Sequence, residues 1–328
     1  MNTIPIPSAP NSALELMPKD TGDLGESVFV MLQKAFAQLN PKITQAAGIC
    51  LCLIAVVILI GILKQFPGKS ESVTDFVGIL AVTGLLLNQT HSLVSMAANT
   101  VVELSEYGKL LLPVMTAAMA SQGGITGSAA LYTGTALFNT LLSSAVANLL
   151  IPLIYVYLAF CVACAATQEE LIQKCRDFIK WAMTWGLKIV LYIFTGYMGL
   201  TGVISGTADQ AAVKATKLTM SGMIPVVGGI LSDASEAVIL GAGVMKNAAG
   251  IYGMLALIGI WLKPFLTIGI SYLMLKISAA VCDGFAAKKV SGLIKNVSEA
   301  MGLLLGMTAS VCILLLISVI CFMKGMNG

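Results

Sequence analysis

Residues 43–63 read ITQAAGICLCLIAVVILIGIL, a run of 21 residues without a charged side chain. A helix of that length rises about 32 Å, enough to cross the hydrocarbon core of a bilayer, which is about 30 Å thick. Lys64, Pro67 and Lys69 follow the run and close it. The sequence therefore predicts a first transmembrane helix over residues 43–63.

The composition of the whole chain agrees with this reading. Of its 328 residues 57% are hydrophobic and 11% are charged, whereas a soluble domain carries roughly 25% charged residues. The net charge of +3 includes no basic cluster dense enough to bind nucleic acid. These values exclude a soluble enzyme, a nucleic-acid-binding protein and a disordered scaffold. The predicted fold class is an all-α polytopic membrane protein whose outer surface meets the lipid bilayer.

The apolar runs predict about six transmembrane helices, two re-entrant or broken helical segments, and amphipathic helices at the interface. Residues 1–42 are predicted to be a mobile tail, without the basic and apolar regions of a signal peptide, followed by an amphipathic interfacial helix that Pro41 ends. Beyond residues 43–63, we expect a first membrane repeat over 73–180, a second over 182–297 and a final transmembrane helix over 300–323.

Two short apolar pieces carry the predicted breaks. Residues 110–120 would rise only about 16 Å as a helix, half a bilayer, and they contain Pro113 before the flexible stretch with Gly123 and Gly124. The second piece contains Pro225, and Gly228 and Gly229 follow it. Irregular backbone at membrane depth is tolerated where protein or water covers it, so these positions are candidates for a pore or a transport site.

An internal duplication is predicted from a shared offset. Pro113 and Pro225 are 112 residues apart, and so are Pro152 and Pro264. In both halves a broken segment is followed by a long apolar run, a basic amphipathic segment (168–180 and 283–297) and a further span. We place both basic segments on the cytoplasmic side, which makes the repeats parallel and puts both termini outside.

Ionisable residues in apolar surroundings are the remaining candidates. Asp233 and Glu236 are three residues apart and would share a helix face; they form a cation or proton site, or they lie in water at a loop. Lys188, Lys263 and Lys276 lie in apolar runs. They are expected to extend to the interface, or to face a pore or an ionic partner.

Catalytic and metal-binding motifs are not found in the sequence. It contains no HExxH zinc motif and no Walker A sequence. Cys161 and Cys164 form a lone CxxC inside an apolar run, and His91 is the single histidine. We therefore expect no catalytic residues, no metal and no cofactor, with the eight cysteines serving mostly as small buried side chains.

Two stretches resemble a known family. They are LLLPVMTAAMASQGGITGSAALYTGTALFN (110–139) and MIPVVGGILSDASEAVILGAGVMKNAAGIYG (223–253), and they are similar to the stage III sporulation protein AE family of endospore-forming bacteria. The resemblance implies a multi-pass component of the channel complex that connects mother cell and forespore, on the mother-cell side of the engulfing membrane. It also implies a hetero-oligomer with other stage III sporulation membrane proteins and a cytoplasmic secretion-type ATPase.

Two hypotheses follow from the sequence. The resemblance favours a non-enzymatic subunit of a sporulation channel or secretion-like complex, needed for late forespore development. The predicted repeat and broken segments favour a stand-alone secondary transporter with a midplane site at the broken helices.

Overall fold

Eight α-helices and one π-helical turn make up the part of the chain that the computed structural model describes, which is residues 7–18, 24–65, 71–121, 125–200, 248–285 and 288–325. No strand occurs in those residues. The helices are α1 (Asn11–Leu14), α2 (Leu24–Leu63), α3 (Glu71–Ser121), α4 (Ile125–Ala145), the π-helical turn Val146–Leu150, α5 (Ile151–Thr167), α6 (Glu170–Leu200), α7 (Ala248–Asp283) and α8 (Lys288–Gly325).

Six helical stretches among the described residues are long and apolar enough to cross a membrane. They are α2, α3, the continuous stretch Ser128–Thr167, α6, α7 and α8. The expected all-α polytopic fold is confirmed. The helices are longer than a bilayer requires: α3 has 51 residues, which corresponds to a rise of about 77 Å.

Helix α8 is the centre of the bundle. Within its apolar 18-residue window 78% of α8 is buried, whereas the corresponding windows of α6 and α2 are 17% and 22% buried. It packs against α3, α4, α5, α6 and α7, and large side chains such as Phe322 and Leu315 are enclosed. Apolar side chains therefore fill the axis of the bundle along α8.

Helices α2 and α7 run in the same direction. The Ser278 hydroxyl donates to the Cys50 sulfur over 2.8 Å, and 19 residues earlier in both helices Met31 lies beside Gly259. At the far end of α2, Lys64 contacts Asp75 at the start of α3 over 2.6 Å. These contacts put the ends of α2 and α7 and the starts of α3 and α8 at one end of the bundle.

Three predicted boundaries are corrected by the helices. Pro41 does not end a helix but lies inside α2, and Pro113 lies inside α3, so the predicted re-entrant piece at 110–120 is the last part of one long helix. The predicted basic segments 168–180 and 283–297 are not separate from the spans after them, because α6 and α8 run on through residues 182 and 300. An interior proline costs a helix about 3 kcal/mol. Burial of the apolar side chains next to each proline, such as Leu39 and Leu112, offsets that cost.

Pro152 lies at a local irregularity of its long apolar run, which stays helical from Ser128 to Thr167. The π-helical turn Val146–Leu150 comes immediately before it, and Pro152 lies at the start of α5. A proline has no N–H to donate, and a π-helical turn is one way in which a helix accommodates the carbonyl that is left without a partner.

The N-terminal segment is not a mobile tail over residues 7–18. Ala13 and Leu16 are fully buried and Met17 is 7% exposed, because the segment packs against α7. The two-repeat division at offset 112 stays a prediction. It agrees with the order of the described helices, since Pro152 precedes α6 and Pro264 lies in α7 before α8.

Candidate functional site

The outward face of α3 is polar in the middle of the helix. Between residues 88 and 109 eight side chains are exposed, and seven of them are polar. We define the polar row as six of these side chains, which follow one line along the helix: Asn88, Ser92, Ser95, Asn99, Glu106 and Lys109. Val102 is the apolar member of the same line, and His91 lies beside it.

The exposed side chains of α4 can be compared with the polar row at one level of the bundle. Ser105, next to the row, donates to Ser143 of α4 over 3.0 Å, so the two helices are level there. On α4 at that level Leu137 and Leu141 are 58% and 50% exposed. Phe138 stacks edge-on with Phe194 of α6 at a centroid distance of 5.4 Å. At this level α4 exposes these two leucines beside Thr140 and Ser144, whereas α3 exposes mainly polar side chains, so the bundle has two unlike faces.

The face of α6 at this level is apolar as well. Ile193 and Ile189, beside Phe194, are 57% and 45% exposed. The exposed faces of α4 and α6 at this level thus carry large apolar side chains, whereas the row on α3 is mostly polar.

The spacing of the row is that of a helix-packing seam. Its members and Val102 are separated by four, three, four, three, four and three residues, from Asn88 to Lys109. An average spacing of 3.5 residues keeps one line of side chains facing a neighbouring helix. The line extends over about 32 Å, the thickness of the hydrocarbon core.

A buried polar network beside the row fixes the rotation of α3. The Asn139 amide donates to the Ser105 carbonyl over 3.3 Å, and the Ser143 hydroxyl donates to the Asn139 carbonyl over 2.5 Å. Nearby, Gly108 allows Leu315 of α8 to approach, since a Cβ there would lie 2.7 Å from a Leu315 methyl. These contacts turn the Ser105 side of α3 inward and leave Glu106 and Lys109 facing outward.

The N-terminal segment lies next to the polar row. The Ser12 hydroxyl donates to the Glu103 carboxylate of α3, and the Ala9 N–H donates to the Tyr252 hydroxyl of α7 over 3.2 Å. From α2, the Lys34 ammonium donates to the Met17 carbonyl over 3.0 Å. Residues 7–18 thus bridge α2, α3 and α7 and leave the row itself exposed.

A cleft of about 360 Å³ opens beside the row, between α3, α5 and α8. His91 Nδ1 and the Tyr155 hydroxyl lie 2.9 Å apart at its edge. The rest of the lining is mainly apolar, including Leu86, Leu158 and Leu293. The cleft is large enough for a small apolar molecule.

Two carboxylates make three ionic contacts that connect the helices towards the end of the bundle where α8 begins. Asp75, with a side chain 6% exposed, lies 2.6 Å from Lys64 and 3.5 Å from Lys289. Further along α8, Glu299 accepts from Lys180 of α6 over 2.8 Å. Asp75 thus connects α3 with α2 and α8, and Glu299 connects α8 with α6.

The structure places four of the predicted candidate residues. Pro113 is exposed on α3, beyond the row. Lys263 contacts Glu15 of the N-terminal segment over 3.4 Å. Lys276 donates to the Tyr272 hydroxyl over 3.1 Å, and Lys188 is half-buried on α6. The other predicted positions lie outside the described residues: Gly123, Gly124, Pro225, Gly228, Gly229, Asp233 and Glu236.

The sequence analysis missed the polar row because it treated residues 110–120 as a separate short piece and not as the end of one long helix. The alternation of four- and three-residue steps from Asn88 to Lys109 is a signal that could have shown the helix to be continuous. No cluster of three or more metal-binding side chains occurs in the part of the chain that the structure describes.

The long apolar helices and the two unlike faces define the class of this protein as a multi-pass helical membrane protein. Within that class, the chain belongs to the stage III sporulation protein AE family, whose model matches residues 14–325. It is also similar to Stage III sporulation protein AE of Bacillus subtilis (strain 168), with 24% identity over 218 residues, 66% of this chain and 54% of the relative. The chain thus spans about half the length of that relative. No solved structure matches it.

Proposed function

We propose that this chain is a non-enzymatic integral membrane subunit of a channel or secretion-like complex between mother cell and forespore, needed for late forespore development. Membership in a sporulation family supports the process. The polar row supports the mode of action, since a line of exposed polar side chains on a membrane protein's helix is a surface for another protein or for water.

The filled centre of the bundle also supports a role within an assembly. Apolar side chains on α8, among them Leu304, Leu315 and Phe322, are fully or almost fully buried, so the described helices enclose no axial opening. A path across the membrane would lie between subunits. Other stage III sporulation membrane proteins and a cytoplasmic secretion-type ATPase are the partners we propose, with the subunit on the mother-cell side of the engulfing membrane.

Complementation in the native host tests this proposal. We expect deletion of the gene to leave vegetative growth normal and to stop sporulation after engulfment, with loss of late forespore reporter activity. Asn99→Leu, which makes the row apolar, should fail to restore spores. The matched control is Thr140→Leu, which replaces an exposed polar side chain on the lipid-facing side of α4. Normal spore numbers after deletion, or equal effects of the two variants, would refute the proposal.

The alternative, a stand-alone secondary transporter, makes a different prediction. Asp233→Asn with Glu236→Gln should then abolish flux and sporulation together, whereas Asn99→Leu should behave like Thr140→Leu. A subunit acting through the row should tolerate the change at 233 and 236 and still assemble.

A further inference from the structure

The cleft between α3, α5 and α8 opens between two helices that carry no charge along its walls. Helix α3 has no charged side chain over residues 76–102, and α5 has none over Ile151–Thr167. At the opening Leu87 of α3 is 66% exposed, and Val156 of α5, next to the lining residue Tyr155, is 46% exposed. In a multi-pass membrane protein such a surface faces hydrocarbon. The cleft is therefore open to the lipid bilayer.

The neighbouring helix α2 gives the depth of the cleft. Ile60 of α2 lies against Gly78 of α3, and the two helices run in opposite directions. Because both helices rise equally per residue, the cleft residues of α3, 83–91, are level with about residues 47–55 of α2. These residues belong to the run 43–63, which has no charge and the length that crosses a bilayer.

The ionic contact at a similar level lies on a different side of α5. Lys180 of α6 contacts Glu299 of α8 over 2.8 Å, and the hydroxyl of Tyr157, which is fully buried, approaches the same carboxylate. Tyr157 is two residues from both Tyr155 and Ala159, so it points away from the cleft that they line. Among the described residues that line the cleft, none is Asp, Glu, Lys or Arg.

The cleft has the width of a hydrocarbon chain and not of a helix. On α3 it extends from Thr83 to His91, and on α5 over residues 155–162, so it runs for about 11 Å along the bundle. Its volume of about 360 Å³ then corresponds to a mean cross-section of about 33 Å², whereas an α-helix about 10 Å wide occupies roughly 80 Å². A helix of another protein is thus too wide, and a single chain fits.

The polar pair at one end of the cleft is satisfied within the protein. His91 Nδ1 lies 2.9 Å from the Tyr155 hydroxyl. Most of the other lining side chains are aliphatic, among them Leu158 and Val162. This end therefore does not require a polar ligand, because the two polar groups already have each other as partners.

The opposite end of the cleft is positively charged. Lys289 lies one helical turn before Leu293 and two turns before Val297, on the same line of α8. Its ammonium is 3.5 Å from the Asp75 carboxylate, which Lys64 contacts more closely, over 2.6 Å. Two ammonium groups thus approach one carboxylate, and the side chain of Lys289 remains 26% exposed. An anionic group at this end would be stabilised by a charge-assisted hydrogen bond.

We propose that the cleft binds one acyl chain of an anionic phospholipid from the surrounding bilayer, with the lipid phosphate at Lys289. Basic pockets between transmembrane helices bind the head groups of anionic lipids, and here the apolar cleft begins one turn deeper than the lysine. The chain then runs from Leu293 towards the pair of His91 and Tyr155. This site is independent of the proposed function, which assigns no lipid.

Photolabelling of the unaltered full chain in phosphatidylcholine vesicles tests the proposal. Two probes are compared, phosphatidylglycerol and phosphatidylcholine, each with a diazirine in one acyl chain. Both should label Leu51 and Leu59 of α2, which are 68% and 58% exposed. Relative to that label, phosphatidylglycerol should label Leu87 and Ala159 in the cleft about fivefold more than phosphatidylcholine does, the factor that corresponds to about 1 kcal/mol for one lysine. Equal ratios, or a cleft that neither probe labels, would overturn the proposal.

A variant that fills the cleft locates the acyl chain. Ala159→Phe should remove the excess phosphatidylglycerol label from Leu87. The matched control is Ala81→Phe, which adds the same side chain at an exposed alanine of α3 outside the cleft, and it should keep the excess. Loss of the excess in both variants, or in neither, would contradict binding of the chain in the cleft.

A second variant locates the head group. Lys289→Gln should abolish the preference for phosphatidylglycerol and leave cleft labelling by phosphatidylcholine unchanged. The control Lys295→Gln removes an exposed lysine that is two residues from Leu293 and therefore on another side of α8, and it should keep the preference. A preference that survives Lys289→Gln would overturn the assignment of the phosphate. Thermal unfolding is followed for each variant, and where one does not fold, the comparison of the two probes on the unaltered chain decides.

Discussion

Replacing Gly259 by alanine should release the N-terminal segment from α7. The segment crosses α7 at this glycine, where a Cβ would lie 2.9 Å from both Cα and Cβ of Ala13 and 3.2 Å from the Met31 methyl. The Ala13 Cα belongs to the backbone, so no side-chain rotation relieves the contact. The segment must shift as a unit, because Ala13 at the crossing and Leu16 one turn later are both fully buried.

The size of the effect follows from two opposing contributions. Adding a methyl group to a well-packed contact costs typically about 1–3 kcal/mol. Alanine in place of glycine within a helix stabilises that helix by about 1 kcal/mol, but this gain belongs to α7 and not to the segment. Local opening of residues 7–18 should therefore become easier by about 1–3 kcal/mol, which raises amide exchange there by roughly 5- to 150-fold.

Hydrogen exchange read by mass spectrometry on the full chain in detergent measures this effect directly. The relevant amides include Leu14, which donates to the Pro10 carbonyl over 3.0 Å, and Met17, which donates to the Ala13 carbonyl over 2.9 Å. The matched control is Gly269→Ala on the same helix, since nothing lies within 4 Å of a Cβ at Gly269. It carries the same propensity gain and no contact with the segment.

The reasoning would be refuted if the amides of residues 11–17 exchanged equally fast in the two variants. Equal protection would mean that the segment tolerates a methyl group at Gly259, and that its burial does not depend on close approach to α7. Faster exchange in Gly269→Ala would be just as damaging, because it would trace the effect to α7 as a whole.

Two further variants test the contacts between helices. Gly134→Ala places a Cβ against the ring of Tyr197 and should destabilise the protein by about 1–3 kcal/mol, which a lower Tm would show. The control Gly196→Ala, whose Cβ would meet nothing within 4 Å, should leave Tm unchanged. Equal Tm values for the two variants would show that the ring moves freely. Asp75→Asn removes a carboxylate that is 6% exposed and contacts two lysines, and it should lower the free energy of unfolding by about 3–5 kcal/mol. The control Glu170→Gln, in a pair that is 71% and 81% exposed, should change it by less than about 0.5 kcal/mol. Similar losses in both variants would count against a structural role for Asp75.

The helix ends predicted at prolines were wrong at two positions. Pro41 and Pro113 were expected to end or break helices, yet α2 and α3 continue through both. The energy of one lost hydrogen bond is a local quantity, whereas the apolar contacts that offset it come from α7 and α8, which lie far away in the chain. At Pro152 the helix continues as well, with a π-helical turn directly before the proline.

The sequence by itself determined the class of the protein. Apolar runs such as 43–63 have to be buried in lipid or protein, and their lengths match a bilayer, so the number of spans could be predicted from hydropathy alone. The motifs at 110–139 and 223–253 were sufficient to indicate the family. Both conclusions depend on local composition and order, which the sequence displays directly.

Only the tertiary structure decided which faces of the helices are exposed. Asn99 and Asn139 are both asparagines inside long helices, but Asn139 is buried in a network with Ser105 while Asn99 is exposed. Their difference arises from how α3 and α4 rotate against α8, and that rotation is set by contacts between residues far apart in the chain. For this reason the polar row could be recognised as a surface only once the helices had been placed together.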